Sequence, residues 1–230
     1  MGRTAIVTGG TGGLGTAVTR AFLDDSWRVV VPWVNERELE RVELDESLVL
    51  VQADLFEPDS VAEVTEKATK DGEAPLRAVV NLVGGFAMGG RVHETPIEEF
   101  ETQFRLNLRP TYLVCAAALP HLVDAGGGGI VCVSTRAAVK PFPGAAGYIT
   151  SKAAVLSFVE ALAAEYVDDG VRVNAVLPSV IDTPGNRASQ PDADHSKWVS
   201  PDEIASVIRF LCSDESGPVS GARVPVYGRA

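Results

Sequence analysis

Tyr148 and Lys152, four positions apart, are the residues of this sequence with the clearest capacity for acid–base chemistry. In a helix this spacing places both side chains on one face. An ammonium group beside a phenol favours the phenolate, so it is expected to lower the tyrosine pKa from its ordinary value of about 10. Such a phenol could act as a general acid or base at neutral pH. Two surface residues would give the same spacing, so the interpretation depends on whether the chain also supplies a cofactor site.

A glycine-rich turn near the N-terminus supplies that second feature. The β-rich run Arg3 to Thr8 precedes the turn, and a helical pattern follows it. Strand, glycine turn and helix in this order are typical of a dinucleotide-binding unit, because glycines let the backbone approach a pyrophosphate and the helix start offers free N–H groups. The turn can be read with two spacings, Gly10-x-Gly12-x-x-Gly15 and Thr8-Gly9-x-x-x-Gly13-x-Gly15.

The rest of the chain alternates predicted strands with helical segments, which indicates a parallel sheet with right-handed crossovers. The further predicted strands are Trp27 to Pro32, Leu48 to Gln52, Leu76 to Asn81, Ile130 to Thr135, Val171 to Leu177 and Arg223 to Val226. The predicted helices are Val61 to Lys70, Ile97 to Val123 with a bend at Pro110, the segment around Tyr148, and Pro201 to Cys212.

We therefore expect an α/β fold, a single-domain Rossmann-type doubly wound parallel sheet of about seven strands with helices on both faces, over residues 1–230. Ligands of such sheets bind beyond the carboxyl ends of the strands, where Gly9, Asp54, Asn81 and Gly84 fall. A Pro- and Asp-rich stretch without clear periodicity, at about 179–200, is expected to be a substrate lid.

The segment after the second strand leaves the choice between NAD and NADP open. An acidic residue here would bind ribose hydroxyls, whereas a basic one would accommodate a 2′-phosphate. Glu36 and Arg37 stand side by side at about the expected distance from the glycines. Both could equally be the solvated start of a helix.

Composition excludes several other classes of function. The net charge of −11 over 230 residues disfavours a nucleic-acid surface, which needs clustered Lys and Arg. The three cysteines lie among apolar residues and are expected to be reduced core thiols of a cytoplasmic protein. The three histidines are scattered, so no metal site is predicted. No signal peptide and no membrane-spanning segment are expected.

Several short motifs, in this order and spacing, resemble the short-chain dehydrogenase/reductase superfamily along essentially the whole chain. They are Thr8-Gly9-x-x-x-Gly13-x-Gly15, Asp54, Asn81-x-x-Gly84, Asn107, Tyr148-x-x-x-Lys152 and Pro178-x-x-x-x-Thr183. The resemblance implies an NAD(P)-dependent oxidoreductase in which a hydride passes between nicotinamide and a small ketone or secondary alcohol. The cofactor contacts that it implies are Gly9, Thr11, Gly13, Leu14, Gly15, Asp54 (at the adenine), Leu55, Asn81 (stabilising the central strand), Gly84, Tyr148, Lys152, and Val180 and Thr183 at the nicotinamide.

The same resemblance gives roles to the catalytic candidates. Tyr148 would protonate a carbonyl oxygen, Lys152 would lower its pKa and bind the nicotinamide ribose, and Asn107 would hold a water that relays protons to Lys152. The family usually has Ser thirteen residues before the Tyr, where this chain has Thr135, with Ser134 one position earlier. Neighbours on a strand point to opposite faces, so only one hydroxyl can face the substrate. Spacing favours Thr135, and Ser134 is the alternative.

The lid is similar to that of quinonoid dihydropteridine reductases, which makes a quinonoid pterin the second candidate substrate. Phe86, Asn186, His195 and Trp198 are then candidate substrate contacts, although Trp198 could equally anchor the lid on the core. A dinucleotide-sensing regulator without turnover is the alternative of another class. Apolar residues on more than one side of the Tyr148 helix and of the Phe100 to Leu122 helix predict a homodimer or homotetramer packed through them.

Overall fold

A seven-stranded, fully parallel sheet forms the centre of the molecule, with strand order β3-β2-β1-β4-β5-β6-β7. The computed structural model describes residues 2–229. Successive strands from β1 to β3 are added towards one edge of the sheet, and those from β4 to β7 towards the other. The strand order thus reverses between β1 and β4, which is the position where doubly wound folds bind their ligands. The strands are β1 (Thr4–Thr8), β2 (Arg28–Trp33), β3 (Leu48–Gln52), β4 (Leu76–Asn81), β5 (Gly128–Val133), β6 (Val171–Pro178) and β7 (Arg223–Val226). The predicted fold class is confirmed.

Helices cover both faces of this sheet, because the sheet presents apolar side chains on both faces and each face must be shielded from water. The helices are α1 (Gly15–Asp24), α2 (Pro58–Thr69), α3 (Ile97–Asn107), α4 (Arg109–Asp124), α5 (Ala146–Tyr166), α6 (Pro184–Ser189) and α7 (Pro201–Cys212). One core contains Val64 of α2, Leu119 of α4 and Leu156 of α5. The core on the other face contains Phe22 of α1 and Ile208 of α7.

The long helical segment that the sequence predicted over Ile97 to Val123 is divided in two at Leu108. Pro110 lies in the first turn of α4, where its missing N–H costs no hydrogen bond. The predicted bend just after Asn107 is thus confirmed. Its effect is to leave Asn107 as the last residue of α3, fully buried beside the sheet.

Two differences from the prediction affect the ligand-binding edge of the sheet. Strand β5 ends at Val133 rather than at Thr135, because Thr135 already caps a short 3₁₀ helix over Arg136–Ala138 by accepting the N–H of Ala137. Ser134 and Thr135 therefore lie just beyond the strand, at the ligand-binding edge. The predicted lid is less irregular than expected: it contains α6, a 3₁₀ turn at His195–Lys197 and a parallel bridge between Ile181 and Val199.

The remaining expectations concern features that the described residues lack. Within residues 2–229, every helix is too short or too polar to span a bilayer. Over the same range, no group of three or more His, Cys, Asp or Glu side chains could hold a metal ion. Cys115, Cys132 and Cys212 are free and buried, as predicted.

Candidate active site

The glycine turn between β1 and α1 has the geometry that a pyrophosphate-binding loop needs. Gly9 has a φ of +66°, a conformation that disfavours any side chain. A Cβ on Gly15 would collide with the carbonyl oxygen of Gly9. No side chain caps the N-terminus of α1, so its backbone N–H groups and the positive end of its dipole are available to an anion. The turn therefore fits the pyrophosphate of a dinucleotide.

The other predicted cofactor residues divide into those at this edge and those in the core. Asp54 is exposed just after β3, where its Oδ1 accepts the N–H of Phe56 at 2.9 Å. Leu14 packs partly against the core beside α1. Leu55 is buried in the core, so only its backbone could touch a cofactor. Thr11 is buried in the turn, and its hydroxyl donates to Oε2 of Glu38 at 2.6 Å.

Asn81, for which the resemblance implies both a cofactor contact and stabilisation of the central strand, lies in the core. Its side chain is buried, and Nδ2 donates to the sulfur of Cys115 at 3.3 Å and to that of Cys132 at 3.7 Å. The amide thus joins β4 to α4 and β5 inside the core. This arrangement agrees with the implied strand-stabilising role, and among the described residues Oδ1 of Asn81 is buried without a hydrogen-bond partner.

Tyr148 lies in the first turn of α5, at the carboxyl edge of the sheet. Its ring packs edge-on against Phe86, with 4.9 Å between ring centroids and an interplanar angle of 86°. Burial raises the pKa of the phenol, and a hydrogen bond from the Thr135 side chain opposes this by stabilising the phenolate. The net direction of the pKa is upward, opposite to the lowering expected from Lys152. The effect of Lys152 on Tyr148 stays a prediction.

Lys152 is buried one turn further along α5. Its Nζ donates to the carbonyl oxygen of Val133, at the end of β5, over 3.0 Å. Burial lowers the pKa of the ammonium to about 8, and the negative charge of a Cys132 thiolate would act in the opposite direction. A lysine whose pKa lies this close to physiological pH can give up or take up a proton readily.

Asn107 and Lys152 meet at Gly84. A Cβ on that glycine would lie 2.5 Å from Oδ1 of Asn107 and 3.0 Å from Nζ of Lys152. Oδ1 of Asn107 accepts the N–H of Gly85, while Nδ2 donates to the carbonyl oxygens of Gly85 and Gln103 and to Oγ of Ser151. Asn107 is thus rigidly held, and both polar groups approach the chain where only a glycine leaves space.

The structure separates the two candidate hydroxyls. Oγ of Ser134 is buried and donates to the backbone carbonyl of Lys152 at 2.8 Å. The Thr135 side chain is only partly buried and makes the hydrogen bond to Tyr148 described above. Thr135 therefore lies where a substrate carbonyl could reach both hydroxyl groups, and Ser134 does not.

The lid residues lie in a different environment from that predicted. Asn186 donates to the carbonyl oxygen of Ile181 at 2.8 Å, and the His195 and Trp198 rings contact each other at 4.3 Å between centroids. These contacts are all within the lid, so the proposed substrate role of the three residues, and the pterin-reductase likeness, stay predictions. Thr183 caps α6 by accepting the N–H of Asn186 at 3.2 Å, and it follows the partly buried Val180.

Thr183 also lies against the glycine turn. A Cβ on Gly13 would be 3.0 Å from both Cβ and Cγ2 of Thr183. The start of the lid and the turn that fits a pyrophosphate are thus in direct contact, although the two residues are 170 positions apart in the chain.

Sequence analysis missed two features of this edge. One is Glu38, whose carboxylate meets Thr11; its place in an acidic, exposed run gave no signal. The other is a cavity of about 310 Å³ beside Tyr148, between the loop after β4 and the start of α5. Met88, Val92, Ile97, Phe100 and Gln103 line it together with Tyr148. Their sequence signal is a loop with exposed apolar residues, Met88 and Val92, that leads into the apolar start of α3.

Comparison with known proteins agrees with this geometry. The family profile described as "short chain dehydrogenase" matches residues 3–194. A 2-(R)-hydroxypropyl-CoM dehydrogenase from Xanthobacter autotrophicus is 31% identical over 99% of this chain and 98% of its own. Versicolorin reductase from Emericella nidulans is 31% identical over 100% of this chain and 96% of its own.

Solved structures show the same architecture. A short chain dehydrogenase/reductase family protein superimposes with a TM-score of 0.87 at 32% identity, covering 98% of this chain and 96% of that one. The NADP complex of ElxO superimposes with a TM-score of 0.91, but at 24% identity it supports the fold alone. On the profile match and the two relatives above 30% identity, the chain belongs to the short-chain dehydrogenase/reductase family and is an NAD(P)-dependent oxidoreductase.

Proposed function

We propose that this enzyme interconverts an uncharged ketone and its secondary alcohol, with Tyr148 as the general acid and base. The observation that carries the proposal is the pair of hydroxyl groups at the sheet edge. The Thr135 side chain lies near enough to the Tyr148 phenol to lower its pKa, and both residues lie beyond the carboxyl ends of the strands, where the glycine turn also opens. A carbonyl oxygen placed between them would receive two hydrogen bonds.

The residues of the site divide the work in the following way. When bound, the nicotinamide supplies a hydride to the carbonyl carbon or removes one from the alcohol carbon. In the reducing direction the phenol O–H of Tyr148 breaks and its proton moves to the carbonyl oxygen, which gives the alcohol. The raised pKa keeps this phenol protonated and ready as an acid. Thr135 orients the carbonyl by hydrogen bonding and takes no proton.

Lys152 and Asn107 support the return of the proton to Tyr148. The Lys152 ammonium, with its pKa of about 8, is able to release a proton near neutral pH. Asn107 lies beside it at Gly84 with its orientation fixed by four hydrogen bonds, so it can hold a water molecule next to the ammonium. We assign the two residues to a proton path from solvent to the phenol.

The test compares wild-type enzyme with Tyr148→Phe, using a panel of uncharged ketones and monitoring oxidation of the reduced cofactor. We expect the variant to lose about 10²- to 10⁴-fold in kcat, because proton transfer is removed. Cofactor affinity, measured by fluorescence, should change much less. A variant that turns over as fast as the wild type would contradict the proposal.

The cofactor that fits best is NAD. A 2′-phosphate would have to lie near Thr11 and the end of β2, where the Glu38 carboxylate stands 2.6 Å from the Thr11 hydroxyl. That negative charge repels a phosphate and can accept hydrogen bonds from ribose hydroxyls. Arg37 is exposed, and its backbone N–H donates to Oδ1 of Asn35, which caps a 3₁₀ helix.

Glu38→Gln tests this preference, since it keeps the size of the side chain and removes its charge. We expect wild-type enzyme to bind NADH more tightly than NADPH and the variant to lose most of this difference. Glu36→Gln, two positions earlier and exposed, is the matched control and should leave the ratio unchanged. Tighter binding of NADPH by wild-type enzyme would refute the assignment.

We also propose that the protein forms a homodimer through the outer face of α3, α4 and α5. A groove of about 590 Å³ on this face is lined by Phe104, Leu108, Tyr112, Ala154 and Phe158, with Arg105 and Arg109. Tyr112 is 55% exposed, and its ring packs against that of Phe158 with 5.8 Å between ring centroids. A second copy of the same face would bury these aromatic rings, as an isologous interface requires.

Light scattering tests the dimer, and Tyr112→Glu is the informative variant because it places a charge in the centre of the groove. We expect a dimer, or a tetramer built from it, for the wild type and a monomer for the variant. A monomeric wild type at micromolar concentration would exclude this interface.

The three free, buried cysteines support the cytoplasmic location that the sequence predicted.

A further inference from the structure

The cavity beside Tyr148 contains one polar group that the protein does not satisfy. Gln103 is 6% exposed, and within residues 2–229 its Oε1 has no hydrogen-bond partner. An unpaired buried polar group is costly and rare in folded proteins. Since Gln103 lines the cavity, a molecule bound there could supply the missing partner.

The walls of the cavity specify the rest of such a molecule. Met88, Val92, Ile97 and Phe100 provide an apolar lining, and a volume of about 310 Å³ is at the lower end of the range for small-molecule sites. Glu99 is the charged residue of the lining, and no Lys or Arg accompanies it among the described residues. An anionic group would therefore be repelled, whereas a neutral ring would be accommodated.

Two further contacts make this cavity a fixed part of the fold. The N–H of Gly89 donates to the carbonyl oxygen of Gly144 at 2.7 Å, which ties the loop after β4 to the segment before α5. A Cβ on Gly147 would lie 3.2 Å from Cγ of Gln103, so the glutamine side chain is confined by α5. The amide is thus held at the cavity rather than free to turn towards solvent.

We propose that this cavity binds the distal part of the substrate, an uncharged ring that carries a second hydrogen-bonding group, and that Gln103 selects that group. The inference rests on the proposed function, because Tyr148 lines the same cavity and a ring held there would extend from the reacting carbonyl. The preferred substrates are cyclic or aryl ketones with a hydroxyl group away from the carbonyl. Gln103 is a specificity-determining residue in this scheme.

Binding of matched aryl ketones to the protein saturated with oxidised cofactor, which cannot reduce them, tests the inference by ligand-observed NMR. The probes are 3- and 4-hydroxyacetophenone, the corresponding methylacetophenones, and 4-acetylbenzoate. We expect wild-type protein to bind the better hydroxyl probe about tenfold more tightly than its methyl counterpart, and to exclude the carboxylate. Gln103→Leu should abolish the hydroxyl preference while binding the methyl probe at least as well.

Thr102→Val is the matched control, because Thr102 is the neighbouring residue on α3 and is exposed. It should keep the wild-type preference. Equal binding of hydroxyl and methyl probes by the wild type would overturn the inference without any variant, and so would an unchanged preference in Gln103→Leu. Since these measurements need no turnover, a protein that binds as expected but reduces no ketone would contradict the proposed function and not the assignment of the cavity.

Discussion

The Ser134 hydroxyl donates to the backbone carbonyl of Lys152 at 2.8 Å, which ties the end of β5 to the helix that carries Tyr148. Thr135, the next residue, hydrogen-bonds the Tyr148 phenol instead. The two adjacent hydroxyl groups therefore lie in different environments, one in the core and one beside the phenol. This arrangement predicts that their substitutions affect different properties.

Thr135→Val should lower kcat/KM by about 10- to 100-fold, because it removes a hydrogen bond to the substrate carbonyl while the shape of the side chain stays nearly unchanged. Thr135→Ser should retain most of the activity. Ser134→Ala should leave kcat/KM within a few-fold and instead reduce the free energy of unfolding by about 1 kcal/mol. Steady-state kinetics and urea unfolding of the three variants check this, and the reverse pattern would assign the substrate contact to Ser134.

Tyr148 should ionise only in strongly alkaline solution when no cofactor is bound, because burial raises its pKa. Phenolate absorbance of wild-type protein minus that of Tyr148→Phe isolates this one of the four tyrosines. We expect the difference signal to develop above about pH 10. A midpoint near neutral pH would support the sequence-based expectation that Lys152 lowers the pKa.

Stability should depend on pH through Lys152. Its pKa is about 8 in the folded protein against 10.5 for an ordinary lysine, so between these values the unfolded chain binds more protons and stability rises with pH. The cost of burying the charge, about 3 kcal/mol, is fully present below this window and disappears above it. As the pH rises through this window, the free energy of unfolding of the wild type should therefore increase by about this amount relative to that of Lys152→Met. Urea titrations at both ends of the window measure it, and a pH-independent difference would contradict the shift.

Gly84→Ala should impair both stability and catalysis. The added methyl would lie 2.5 Å from Oδ1 of Asn107 and 3.0 Å from Nζ of Lys152, and both side chains are buried and hydrogen-bonded. We expect a loss of about 1–3 kcal/mol in stability, as is usual for overpacking, and a lower kcat. Gly72→Ala is the control, because nothing lies within 4 Å of its added methyl. Thermal unfolding and kinetics of both variants would show whether Gly84 is as constrained as its surroundings indicate.

The fold was predictable because its signals are local. Alternating apolar strands and helical segments gave the parallel sheet, and Pro110 marked the break after Asn107. The end of β5 was placed two residues too late, since the hydroxyl of Thr135 accepts the N–H of Ala137 and starts a 3₁₀ turn. Apolarity alone does not reveal such a side-chain cap.

The sequence predicted which residues gather at the site better than it predicted their burial and hydrogen-bond partners. Spacing identified Tyr148, Lys152 and Thr135, but the direction of the Tyr148 pKa depends on burial, which is a property of the assembled chain. The resemblance implies a cofactor contact for Asn81, but it does not reveal that the amide nitrogen faces two buried thiols. The contact of Glu38 with Thr11 joins residues 27 positions apart and has no local sequence signal.

The contact of Thr183 with Gly13 gives the two ligands a natural sequence of arrival. A dinucleotide bound on the glycine turn would lie close to Thr183, near the start of the lid. Its binding would therefore affect the segment that is expected to enclose the substrate. We therefore expect an ordered mechanism in which the coenzyme binds first and is released last. Product inhibition patterns would show this order.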